Sequence, residues 1–149
     1  MATQIYKVWA DCPPDFIEQG GNEEQLVELH EFNDDFINLE RVKELIGDNC
    51  KIAQPLPGTE YTMWCDEESK LKHDCSQRGN PFGTQAWQDS AAGNSGWDWL
   101  YQHYGGFIWD HDLAVGKVVQ IMEGEFEDDD MYISNGVAIH KNSNLKEEE

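Results

Sequence analysis

The chain has 149 residues, 39% of them hydrophobic and 11% aromatic, with six Trp; this supports one packed core and excludes a disordered chain, even at a mean hydropathy of -0.70. Thirty Asp and Glu face ten Lys and Arg, for a net charge of -20 and a pI near 4.3. Such a field repels phosphate backbones and anionic membranes and attracts basic protein surfaces, so direct nucleic-acid binding is the first function to be excluded.

In chain order, Gln4–Trp9 alternates Ile5, Lys7 and Trp9 against Tyr6 and Val8 and is expected to form a strand. Cys12-Pro13-Pro14 ends it, and Gly20-Gly21-Asn22 marks a turn. Gln25–Phe32 fits either a helix through Leu26, Leu29 and Phe32 or an alternating strand, and the strand, paired with the first, is the favoured reading. Leu39–Ile46 is the clearest helix: Asn38 caps it, Leu39, Val42, Leu45 and Ile46 share a face, and Gly47 supplies a left-handed stop. Lys51–Leu56 and Tyr61–Cys65 read as strands around Pro57-Gly58, followed by a polar turn over Asp66–Ser69.

A short helix is expected after Asn80-Pro81, where proline suits the first helical position. Trp97–Tyr104 is expected to be a helix ending at Gly105-Gly106. Leu113–Met122 is the strongest strand candidate, with Gly116 marking a bulge or close approach. Glu123–Asp130 reads as an acidic loop, Met131–His140 as a last strand or extended arm, and 141–149 as a flexible acidic tail. The expected fold is therefore a small single α+β domain over residues 1–140, mostly antiparallel sheet with two or three short helices.

Several of these segments carry a family resemblance. They are Glu44-Leu45-Ile46-Gly47, Lys51-Ile52, Asp66–Leu71, Asn80-Pro81 with Thr84 and Ala86, and Val115–Val119. In order and spacing, residues 36–120 resemble an uncharacterised small domain family of phage, plasmid, mobile-element and large algal-virus genomes. Against that pattern Gly93–Asp112 looks like an aromatic insertion. The resemblance implies a small α+β fold and an accessory role in a virus or mobile element, and carries no reaction with it.

Residue chemistry narrows the functions further. The cysteines, Cys12, Cys50, Cys65 and Cys75, follow no basic and apolar leader, so reduced thiols and a cytoplasmic location (that of the host cell, if viral) are expected. Cys65 and Cys75 are ten apart around His73, unlike the short ligand pairs of structural zinc. Asp110-His111-Asp112 points in successive directions, and Glu123–Asp130 fits no EF-hand register. No metal and no cofactor is expected. No nucleophile-elbow, P-loop or dinucleotide motif occurs; Cys75 near His73 is the obvious candidate for an activated thiolate, and carboxylate pairs are too numerous to single one out.

Two features point to binding instead. Trp87, Trp97, Trp99, Tyr101, Tyr104, Phe107 and Trp109 cluster, and on a helix Trp97, Tyr101 and Tyr104 form one stripe. Part of that set belongs to the core, and the rest is a candidate anchor patch, since Trp and Tyr concentrate interface energy. The charge is the other feature: a compact domain about 35–40 Å across with twenty excess charges matches the charge density of about 34 Å of B-DNA.

The leading expectation is a non-enzymatic accessory protein that binds a basic protein partner, such as a nucleic-acid-processing enzyme or a host defence complex, by mimicking DNA. Its expected contacts are Glu125, Glu127, Asp128, Asp129 and Asp130, with Trp99 and Trp109 as anchors. The alternative is a small-ligand-binding or sequestering protein built on the aromatic segment 87–109, using Trp97, Tyr101 and Trp109.

Overall fold

A computed structural model describes residues 2–105, 107, 108, 112–128 and 130–141, apart from the side chain of Cys75. The alternation in the first strand, β1 (Gln4–Trp9), sends Tyr6 and Val8 to one face and Ile5, Lys7 and Trp9 to the other. With both faces engaged, β1 sits inside the sheet. It pairs antiparallel with β2 (Val27–Phe32) on one edge and with β5 (Val118–Glu125) on the other. The expected strand from Gln25 starts two residues later, because Glu23–Leu26 first forms a 3₁₀ turn.

The hairpin of β3 (Ala53–Pro55) and β4 (Met63–Asp66) joins the first half of β5, giving the order β2-β1-β5-β4-β3. The second half of β5 pairs with β6 (Met131–Ser134), which pairs with β7 (Val137–His140). The protein is thus a small α+β domain with a mostly antiparallel seven-stranded sheet.

Each face of the sheet carries its own core. On one, Tyr6, Val8, Trp64, Val119, Ile121 and Ile133 pack beneath Val42 and Ile46 of α1 (Leu39–Ile46). Asn38 caps α1 as expected, its Oδ1 accepting from the Glu40 amide at 2.9 Å. The buried Tyr6 hydroxyl accepts from the Asn38 amide, tying the cap to the sheet. Gly47 ends α1 at φ 70° but with ψ -151°, so the left-handed residues proper are Asp48 and Asn49.

On the other face, Trp9, Met63 and Val118 pack beneath α4 (Pro81–Gly93) and α5 (Trp97–Tyr104), with Leu100 and Ile108 filling the middle. Two four-residue helices, α2 (Ser69–Lys72) and α3 (Cys75–Arg78), precede them. The helix expected to be short is α4, the longest in the chain at 13 residues. Its sheet side is built of Gly83, Thr84, Ala86, Trp87, Gln88, Ser90 and Ala91, small or hydrogen-bonding residues rather than an aliphatic stripe. Thr84 Oγ1 accepts from the Ala114 amide, Gln88 Oε1 accepts from the Ile108 amide, and the Thr62 and Ser90 hydroxyls meet at 2.6 Å. Polar groups satisfied in this way can be buried without a desolvation penalty that would expel the helix.

Three expectations near the C-terminus need correction. Residues 113–117 are not strand, because Gly116 at φ 76° turns the chain there and Val115 makes only an isolated bridge to Gly79. Glu123, Gly124 and Glu125 belong to β5 and pair with Ser134, Ile133 and Tyr132, so the acidic connection is confined to residues 126–130. Met131–His140 is a hairpin, not one strand: Asn135 (φ 53°) and Gly136 (φ 77°) form the two-residue turn that positive φ at both positions permits. Beyond Lys141 the expected acidic tail lies outside the described residues.

Candidate functional site

The charge is sorted along the chain before it is sorted in space. From residue 8 to 40 there are ten carboxylates and no Lys or Arg, and from 118 to 140 there are six and none. Those two stretches build β2, β5, β6 and β7, so among these strands and β1 the only cation is Lys7.

The cations elsewhere are largely consumed internally. Arg41 pairs with Asp34 at 3.3 Å, Lys43 with Glu40 at 2.7 Å and Lys72 with Asp66 at 2.7 Å. Lys70 pairs with Asp112, and Arg78 with Asp11 and Asp48. Among the described residues no Lys or Arg reaches Asp15, Glu18, Glu23, Glu24, Glu28 or Glu31. Six carboxylates without a Lys or Arg ion pair thus fall between Asp15 and Glu31, and among the described residues Asp35, Glu67, Glu68, Asp74, Asp89 and Asp98 are likewise without one.

The expected contact residues divide. Glu125 is half-buried and paired with Lys141 at 3.2 Å, so part of its charge is already answered. Glu127, Asp128 and Asp130 are exposed. Phe126 points inward beside them, edge-on to Tyr61, and the Asp130 carbonyl accepts from the Lys141 amide, so the acidic connection is anchored at both ends. Asp129 and Trp109 lie outside the described residues, as do Asp110 and His111.

The aromatic segment is arranged differently from the expected stripe. Trp99 and Tyr104 turn inward, edge-to-face at 5.5 Å and packed against the core, while the Trp99 ring stacks on His103. Trp97 and Tyr101, one helical turn apart, are instead 44% and 56% exposed and meet edge-to-face at 4.8 Å. The exposed aromatic pair is thus Trp97–Tyr101, and Trp99 is half-buried against the core.

Of the pair considered for catalysis, His73 is held in a polar tie. His73 Nε2 lies 3.3 Å from Asp48 and its Nδ1 3.4 Å from the Arg78 guanidinium, which also holds Asp11. Both ring nitrogens are therefore engaged in a tie between the loops after β1 and α1; the Cys75 thiol lies outside the described side chains. Burial first, and the neighbouring Asp66 second, push the Cys65 thiol up to about 12. Burial likewise raises Cys12 and Cys50. A raised value favours the thiol, so the thiolate fraction at a given pH falls, for Cys65 by on the order of a thousandfold. In a variant keeping Cys65 alone, a disulfide reagent at pH 8 should react at least a hundredfold more slowly with folded than with unfolded protein; equal rates would contradict this environment.

Among the described residues no three His, Cys, Asp or Glu side chains converge as a metal site. No described helix is long and apolar enough to cross a membrane. No protein-family model, curated protein or solved structure matches the chain.

Proposed function

We propose that the protein is a non-enzymatic acidic binding protein that captures a basic surface of a protein partner. The observation that carries this reading is a set of carboxylates with no Lys or Arg ion pair among the described residues, Asp15, Glu18, Glu23, Glu24, Glu28 and Glu31 ahead of and along β2 and Glu127 and Asp128 after β5, while six of the ten Lys and Arg are held in ion pairs. Concentrated like charge steers association and specifies a partner of opposite sign. A protein that normally grips DNA offers such a surface, so the partner class is a nucleic-acid-processing enzyme or defence complex, engaged as a DNA mimic. The setting proposed with it is that of an accessory protein of a virus or mobile element.

The test is affinity co-purification of the tagged full chain from host lysate, with stepwise salt elution. The retained partner should be a basic protein, released by salt and displaced by duplex DNA. Failure to retain any basic protein at low salt contradicts the proposal.

A further inference from the structure

On the face that carries α4, the helical layer stops short of β2. Lys7 and Leu29 lie directly opposite each other on that face, and Leu29 is 67% exposed. A cleft of about 350 Å³ lies between α4, at Phe82, Gln85 and Asp89, and the sheet, at Lys7, Trp9 and Met122. It adjoins a second of about 450 Å³ over Val27 and Leu29, edged by Glu24; Lys7 and Glu23 line both. Together they form a lane beside α4 whose floor sets Trp9, Met122, Val27 and Leu29 beside Lys7 and Gln120, with carboxylates at its rims. Further along, Glu31 and Glu123 both stand opposite Ile5 on the same face.

We infer that this lane takes a basic amphipathic helix from the protein partner, completing the helical layer on that face of the sheet. The inference rests on the basic-partner reading and names the surface that reading uses. A sheet face half-covered by helices buries its remaining apolar strip by adding a helix alongside. An amphipathic helix in a groove does this with residues at i, i+3, i+4 and i+7. Charge selects which helix: Glu23, Glu24 and Asp89 flank the lane, and the one cation within it, Lys7, is folded down with Nζ 4.3 Å from the Trp9 ring centroid. An aromatic face that holds a cation can hold an incoming Lys or Arg in its place, with Lys7 swinging out.

The test is fluorescence anisotropy of the full chain with a labelled fifteen-residue Leu/Lys peptide patterned as an amphipathic helix, beside a scramble of identical composition. The patterned peptide should bind at least tenfold more tightly. Leu29→Ser and the double change Glu23→Gln, Glu24→Gln should each weaken it about tenfold with unchanged melting, since all three side chains are exposed. Lys7→Ala should tighten it severalfold. If both peptides bind alike, Leu29→Ser changes nothing and only Glu127→Gln with Asp128→Gln weakens binding, the lane is overturned while the basic-partner reading stands. If neither peptide binds at low salt, both fall.

Discussion

Asn80→Ala should lower folding stability by about 4 kcal/mol. Asn80 is fully buried where α4 begins. Its Oδ1 accepts from the Gly83 amide at 2.8 Å, closing the helix N-terminus. Its Nδ2 donates to the Trp9 and Gly116 carbonyls, both at 2.8 Å, bridging the end of β1 to the segment that leads into β5. Alanine removes the cap, at about 1 kcal/mol, and strips a donor from two buried carbonyls, at about 1–3 kcal/mol each. Asn80→Asp separates the two roles. Aspartate is as good a cap as asparagine, but it would aim a carboxylate oxygen at two carbonyls. It should therefore destabilise at least as much as alanine; if denaturant unfolding finds it near wild type, Asn80 is only a cap and the bridge contributes nothing.

Gly96→Ala should cost about 3 kcal/mol, in the upper part of the range for overpacking. A Cβ at Gly96 would stand 2.0 Å from the Gly58 carbonyl oxygen and under 3 Å from two further backbone atoms of that residue. Gly58 lies in the turn between β3 and β4 at φ 81°, and the carbonyl of Pro57 beside it accepts from Trp87 Nε1 at 2.7 Å. The obstacle is backbone held on both sides, so it cannot swing away as a side chain would. Gly93→Ala, only a few residues earlier, meets nothing within 4 Å. It should be neutral or stabilise slightly, since alanine is the better helix former. Thermal melting of the pair makes the comparison: Gly96→Ala should fall by about 6–12 °C, and equal melting of the two variants would contradict the close approach.

The elements legible in the sequence were those whose apolar residues keep a period. β1 alternates strictly, and α1 has its cap at Asn38, its apolar residues three and four apart and a glycine at its end. The helix α4 is marked by Asn80-Pro81 but its length is not legible, because apart from Trp87 its buried face is glycine, alanine, threonine, glutamine and serine, whose burial depends on partners such as Ala114 and Ile108 that periodicity does not register. Asn135-Gly136 carried a legible hairpin signal that the run of strand-forming residues on either side masked. Glu123 and Glu125 read as loop because like charges crowd there, yet pairing with β6 makes them strand residues.

The same limits apply to the candidate site. Exposed carboxylates such as Glu127 and Asp128 were found from composition alone, since nothing about their environment had to be known. The division of the aromatics was not, because α5 turns its Trp99 and Tyr104 side to Trp87 and leaves Trp97 and Tyr101 outside. Nor was the lane beside α4 legible: Lys7, Glu23, Leu29 and Asp89 come from separate elements and meet only because β2 pairs with β1 while α4 stops short of it.

The central claim is that unanswered carboxylates drive capture of a basic partner, and co-purification in a salt series tests it most directly when the wild-type chain is run beside Glu127→Lys, Asp128→Lys and beside Glu23→Lys, Glu24→Lys. Charge reversal of a contacting pair should release the partner at lower salt and reduce its displacement by duplex DNA, while a partner held by other means would elute unchanged. Identical retention of all three proteins across the salt series would contradict the claim.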